Sequence, residues 1–168
     1  MAGFEISHAF PHDVDDVAAA ILDEDYQESL NDIESLKSRD VLSQKERSDG
    51  TVVRKVRCVL DINISGAAKG FIGDGEPAWV EESIWYPDRN QWEWVVHPEV
   101  GGNLLKAKGY ISLTGAAGKT ERIVHGDVKV SVPLYGGKVE GWIVDGLEHA
   151  YSEEAERLQT WLLDRENR

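Results

Sequence analysis

From Thr51 onward the chain alternates with a period of two: Val52, Arg54, Val56, Cys58, Leu60 and Ile62 share one side, and Val53, Lys55, Arg57, Val59 and Asp61 the other. One side is nearly all apolar and the other largely charged, as an antiparallel strand packed on one face requires. The same period predicts a first strand through Phe4, Ile6 and His8, closed by Pro11. It also predicts two strands in "WVEESIWYPDRNQWEWVV", joined by a Pro-Asp-Arg-Asn turn. "LLKAKGYISLTGAAGKTERIVHGDVKVSVPL" reads as a hairpin turning near Gly115 to Lys119, with Val124, Val128, Val130 and Val132 on its apolar face. Residues 33–44 have mixed polarity and give a less regular strand, followed by a turn at Ser48-Asp49-Gly50, where Asp-Gly tolerates positive φ. "SGAAKGFIGDGEPA" reads as a glycine-rich loop or a short irregular helix.

Two segments change to a helical period. Val14, Val17, Ala18, Ile21 and Leu22 form one stripe behind Asp13, placed as an N-cap, and a second short helix follows from Asp23 to about Leu30. Near the C-terminus Val139, Trp142, Ile143, Leu147, Ala150, Tyr151, Leu158, Trp161 and Leu162 recur at intervals of three and four. Asp145, Glu148, Glu153, Glu156 and Arg157 occupy the other faces. About 25 residues at ~1.5 Å each give a helix of about 37 Å, long enough to cross a curved sheet and be covered by its apolar face. Pro133 is placed to end the last strand, and Gly136 and Gly137 to reverse the chain. Gly141 and Gly146 each cost the helix about 1 kcal/mol relative to alanine, which points either to close packing on the sheet or to room for a ligand. The order is strand, two helices, about six consecutive antiparallel strands and a terminal helix, with no repeat or linker, so residues 1–168 read as one α+β domain.

Composition narrows the possible partners. With 18 basic and 31 acidic residues the net charge is -13, a field that repels nucleic acid and anionic membranes. A single cysteine, Cys58, leaves no internal disulfide and sits in a strand as a small core hydrophobe rather than a nucleophile. The N-terminus has no basic start or apolar run, and no segment reaches the ~20 apolar residues of a membrane span. A cytoplasmic protein without stable membrane insertion is expected. Five histidines form no H-x-x-x-H pair on a predicted helix, so neither a metal site nor a cofactor is expected. "GGK" before the last helix fails the phosphate-loop pattern, because Val132 and Val139 stand where Gly and Ser or Thr belong. Glu140 is then favourable in the positive first turn of that helix.

The segments "FPHDVDDVAAAILDEDY", "WVEESIWYPD" and above all "VPLYGGKVEGWI" leading into "EEAERLQTWLL" resemble the START-like, or SRPBCC, superfamily of helix-grip, Bet v 1-like proteins. More narrowly they resemble an actinobacterial branch of unknown function, over nearly the whole chain from Phe4 to Leu163. The resemblance implies a helix-grip (START-like) fold: a curved antiparallel sheet of about six to seven strands wrapped around a long C-terminal helix, with two short helices after the first strand. It also implies a cavity between sheet and helix that takes hydrophobic or amphipathic ligands in many relatives. Those relatives include lipid carriers, hormone receptors, cyclases and chaperone regulators, so the fold does not select a function.

Within such a cavity the candidate ligand-binding residues are Arg54, Val56, Cys58, Glu82, Trp85, Trp92, Trp94, Tyr110, Val128, Val130, Trp142, Ile143 and Gly146. Arg54 shares the parity of its apolar neighbours, so it either anchors an acidic head group or snorkels to the rim. Glu81 and Glu82 are adjacent in a strand, so one of them faces the helix. The tryptophans either fill the core or wall a cavity, and the pattern leaves the parity of Trp79 open. The expected function is binding of a hydrophobic or lipid-like small molecule. The alternatives are a cyclase- or hydrolase-type enzyme using Glu81 or Glu82 with Arg54 or Tyr110, and a chaperone-type adaptor with a protein partner.

Overall fold

The computed structural model describes residues 2–61, 76–99 and 102–166. The glycine-rich segment expected as a loop or irregular helix lies outside them from Ser65 to Gly75. Strands β1 (Ala2–Phe10), β2 (Leu36–Glu46), β3 (Val52–Leu60), β4 (Ala78–Tyr86), β5 (Gln91–Pro98), β6 (Leu105–Ala116) and β7 (Lys119–Val130) form one curved antiparallel sheet in the order β1-β7-β6-β5-β4-β3-β2. Helices α1 (Val14–Leu22) and α2 (Glu24–Ser29) follow β1, 3-10 turns lie at Leu30–Asp32 and Gly102–Leu104, and α3 (Gly136–Glu166) is the last element described. This is the α+β element order that the alternation and the terminal stripe predict, in the helix-grip arrangement that the family resemblance implies.

Local chemistry accounts for most element boundaries. Asp23 caps α2 by accepting a hydrogen bond from the Tyr26 N–H at 3.1 Å. Asp13 holds the N-cap position of α1 but makes no capping bond; its carboxylate instead accepts from the Gly118 N–H of the β6–β7 turn at 2.5 Å. β2 breaks register between Leu36 and Ser38 and again between Val41 and Ser43. Each break flips the facing of the residues that follow, which is why this strand lacks a clean alternation in sequence.

The start of α3 differs from the expected glycine hinge. The reversal is made by Pro133, Leu134 and Tyr135, with Leu134 at φ 68, and Gly136 is already helical. A Cβ on Gly136 would lie 2.2 Å from the Val130 carbonyl oxygen, so this glycine permits close docking of the helix on β7. Glu140 is buried and accepts from the Val130 N–H at 2.8 Å, a tertiary hydrogen bond one turn further in than the expected dipole position.

Three apolar clusters lie between sheet and helix. One joins Phe10, Val17, Tyr26, Trp85, Trp92 and Leu158 beneath α1. A second joins Trp94, Val128, Val130 and Val139, with Trp142 and Ile143 packed against it. The third contains Val56, Cys58 and Trp79. Among the described residues no helix is long and apolar enough to cross a membrane.

Gly141 fits neither expectation for the helix glycines: it is exposed, and an added Cβ would meet nothing within 4 Å. Gly141→Ala is therefore expected to raise stability by about 1 kcal/mol, the helix-propensity difference with no steric penalty. A higher urea midpoint at unchanged slope would show it; a lower one would mean that the position contacts something.

Candidate functional site: a charged cavity under the terminal helix

The inner faces of β3, β4, β5 and β6 and one side of α3 do not meet at their centre. The space they leave is a cavity of about 120 Å3. Its apolar lining includes Val56, Cys58, Trp79, Trp92, Ile111 and Leu147. Interleaved with these are Arg39, Arg54, Glu81, Arg122, Tyr151 and Glu154.

Strand register places these groups. Across β3 and β4, Arg54 pairs with Ser83, Val56 with Glu81 and Cys58 with Trp79, so all six side chains lie on the inner face. Arg54 is 9% exposed, and its Nη1 donates to the Ile21 carbonyl at 3.0 Å and to Gln44 Oε1 at 3.2 Å. Burial lowers its pKa to about 10. Arg39 donates to the Gln27 carbonyl and to the side chains of Gln27 and Asn31. Among the described residues neither Arg39 nor Arg54 has a carboxylate partner in an ion pair.

Arg122, on β7, is the other kind of buried cation. It is 2% exposed, pairs with Glu154 of α3 at 2.8 Å from Oε2, and lies between the rings of Phe10 and Tyr151 at 5.3 and 5.6 Å. Burial works against its charge, but Glu154 outweighs it and holds the guanidinium above its ordinary value. Tyr151 is raised by burial and by the field of Glu81. Burial likewise pushes the Cys58 thiol up to about 12, which leaves it protonated and poorly nucleophilic.

Glu81 is the inward member of its pair. No hydrogen-bond donor reaches its carboxylate among the described residues, and burial pushes its pKa up against the opposing pull of Arg54 and Arg39. The groups facing it are Arg54 and Cys58 from β3, Arg39 from β2, Arg122 from β7, and Tyr151 and Glu154 from α3. A carboxyl raised in the folded state binds its proton more readily there than in the unfolded chain. Its contribution to stability is present below the ordinary value near 4.5 and is lost as pH rises through the native value. Glu81→Gln, neutral at every pH, is expected to be more stable than the wild type at about pH 7 and equal to it below about pH 4. Urea midpoints measured across this range check the sign; a less stable variant at neutral pH would mean that Arg54 holds Glu81 charged.

Of the candidates from sequence, Arg54, Val56, Cys58 and Trp92 line the cavity. Trp94, Val128, Val130 and Trp142 pack together in the second cluster, and Ile143 packs against the second and third. Trp85 stacks on Trp92 with ring centroids 4.0 Å apart and belongs to the first cluster. Gly146 is half-buried on α3 but is not among the lining residues. Two placements are corrected. Glu82 faces outward, 3.6 Å from Lys55 Nζ, because its neighbour Glu81 takes the inner face. Tyr110 is 40% exposed on the outer face, stacked on His125 at 4.5 Å.

Arg122, Glu154 and Tyr151 escaped the candidate set, although signals for them exist. Arg122 shares the parity of Val124, Val128 and Val130, the same mark that singled out Arg54. Glu154 falls on the helical stripe between Tyr151 and Leu158, at intervals of three and four. Among the described residues no group of three or more His, Cys, Asp or Glu is placed to hold a metal ion.

Solved structures resemble this arrangement at low sequence identity. TTHA0849 from Thermus thermophilus aligns with a TM-score of 0.68 at 13% identity, over 98% of this chain and 99% of that one. The Zhui aromatase/cyclase from Streptomyces sp. R1128 aligns with a TM-score of 0.67 at 11% identity, over 98% and 94%. A START superfamily protein from Mycobacterium smegmatis aligns with a TM-score of 0.60 at 17% identity, over 95% and 98%. The fold is thus the START-like helix grip. The chain belongs to the family described as "Protein of unknown function (DUF2505)", which matches residues 5–162. No curated protein matches the sequence.

Proposed function

We propose that the protein binds a compact amphipathic small molecule in the cavity beneath α3. The observation that carries this reading is a central space lined by aromatic and charged side chains together, beside three apolar clusters among the described residues. Pockets for drug-sized ligands hold roughly 300–1,000 Å3, and a lipid chain needs a comparable space. The volume of about 120 Å3 instead favours a body the size of one ring, which narrows the hydrophobic or lipid-like ligand expected from sequence. Trp79 and Trp92 line the space and supply a readout. Small ring compounds are expected to change tryptophan fluorescence saturably, and Ala150→Phe, which fills the cavity from α3, to abolish the change while the circular dichroism spectrum is kept. Signals that never saturate, or that survive Ala150→Phe, would oppose this reading.

A second reading, an acid–base enzyme, has one observation in its favour: Glu81 is an inward, half-buried carboxyl with a raised pKa that shares the cavity lining with Tyr151. Glu82 and Tyr110 drop out of it because they face outward. The reading requires that a bound compound be converted by the wild type and left intact by Glu81→Gln; mass spectra showing the compound unchanged after long incubation with the wild type would oppose it.

A further inference from the structure

The buried cations of the cavity are not equivalent. Arg122 has its countercharge in Glu154, and its remaining Nε and Nη2 are buried without hydrogen-bond partners between two aromatic rings. Its charge is compensated as it stands. Arg54 donates only through Nη1, and only to neutral oxygens; its Nε and Nη2 donate to nothing among the described residues, and the side chain lines the cavity. A buried charge is normally compensated by a charge of opposite sign, and a guanidinium edge with two free N–H groups matches a carboxylate. Arg39, the nearby second cation of this lining, likewise has no ion-pair partner among the described residues.

We propose that the ligand is a compact monocarboxylate, seated with its acid group on the free edge of Arg54 and its apolar body against Trp79, Trp92 and Val56. This rests on the cavity being the binding site. The excess of positive groups is local to the cavity, in a chain whose net charge is -13. An anion that enters therefore leaves a repulsive outer field for an attractive inner one, which makes recognition depend on contact with Arg54 rather than on long-range steering. The available volume, about 120 Å3, is well below the roughly 300–1,000 Å3 of drug-sized pockets and favours a body of roughly one ring. Glu81 faces the same space, where burial raises its pKa against the pull of Arg54 and Arg39.

The test is isothermal titration of the full chain at neutral pH with three probes of one shape: benzoate, benzamide and benzylamine. Benzoate is expected to bind about 10-fold or more tighter than benzamide, the weight of one charge-assisted pair, and benzylamine not measurably. Arg54→Met should abolish the preference for benzoate, and Arg54→Lys should retain part of it. If benzamide or benzylamine binds as tightly as benzoate, the cavity reading stands and the acid assignment fails. If no probe binds, both fail. A preference for benzoate that survives Arg54→Met places the anion elsewhere and overturns the assignment. Should Arg54→Met lose its fold, through its bonds to Ile21 and Gln44, the ranking on the wild type and on Arg54→Lys decides.

Discussion

Glu154→Gln is expected to cost about 3–5 kcal/mol of unfolding free energy, the largest effect of any single side-chain change under α3. The carboxylate is the countercharge of Arg122, with side-chain exposures of 13% and 3% for the two partners. Removing it strands a guanidinium whose Nε and Nη2 already lack partners. The aromatic faces of Phe10 and Tyr151 offset little of that loss, since a cation–π contact contributes about 0.5–2 kcal/mol. Arg122→Met combined with Glu154→Leu, which removes both charges and keeps the volume, is expected to fall within about 1 kcal/mol of the wild type or above it. Urea titration of the two single variants and the double variant, read as a mutant cycle, measures the coupling. A small loss for Glu154→Gln would mean that the guanidinium reaches water. A double variant as unstable as the singles would mean that the pair shapes the core beyond neutralising its own charges.

Gly109→Ala is expected to destabilise by about 3 kcal/mol or more, or to prevent folding. In the row Phe4, Gly126, Gly109, Trp94 across β1, β7, β6 and β5, the indole of Trp94 lies over the two glycines. A Cβ on Gly109 would stand 1.9 Å from the His125 carbonyl oxygen and 2.7 Å from the Gly126 Cα, as well as 2.6 Å from Trp94 Cζ2. The first two are backbone atoms of a paired strand and cannot move without breaking the β6–β7 ladder. The same substitution at Gly141 has the opposite expected sign, because there the added methyl meets open space. Thermal and urea melts of the two variants side by side check the contrast; a neutral Gly109→Ala would mean that β6 and β7 separate at this row at little cost.

Local periodicity was enough for one part of this architecture. The alternation through Val52, Arg54, Val56 and Cys58 requires a one-sided strand, and the stripe from Val139 to Leu162 requires an apolar surface to lie on. Together with the turn residues between them they imply a sheet and a covering helix, and they leave Arg54 open between an inward and a rim position. The family resemblance carried above all by the segment from Val132 to Ile143 led to the same fold.

Whatever depends on pairing between elements was settled only by the folded chain. Two bulges set the inner face of β2, including Arg39, and no short-range pattern records where a ladder slips. Glu81 rather than Glu82 faces the cavity because Glu81 pairs with Val56, and adjacent carboxylates carry no sign of which is inward until that register exists. Trp94 and Trp92 share a parity and each belongs to an apolar cluster, yet only Trp92 also reaches the cavity, whereas Trp94 lies over the two glycines of the neighbouring strands. Arg122 and Glu154 are 32 residues apart in the chain and meet only when α3 lies across β7. The division has one physical cause. Periodicity follows from the geometry of a single strand or helix, whereas compensation of a buried charge depends on which groups of other elements come within reach of it.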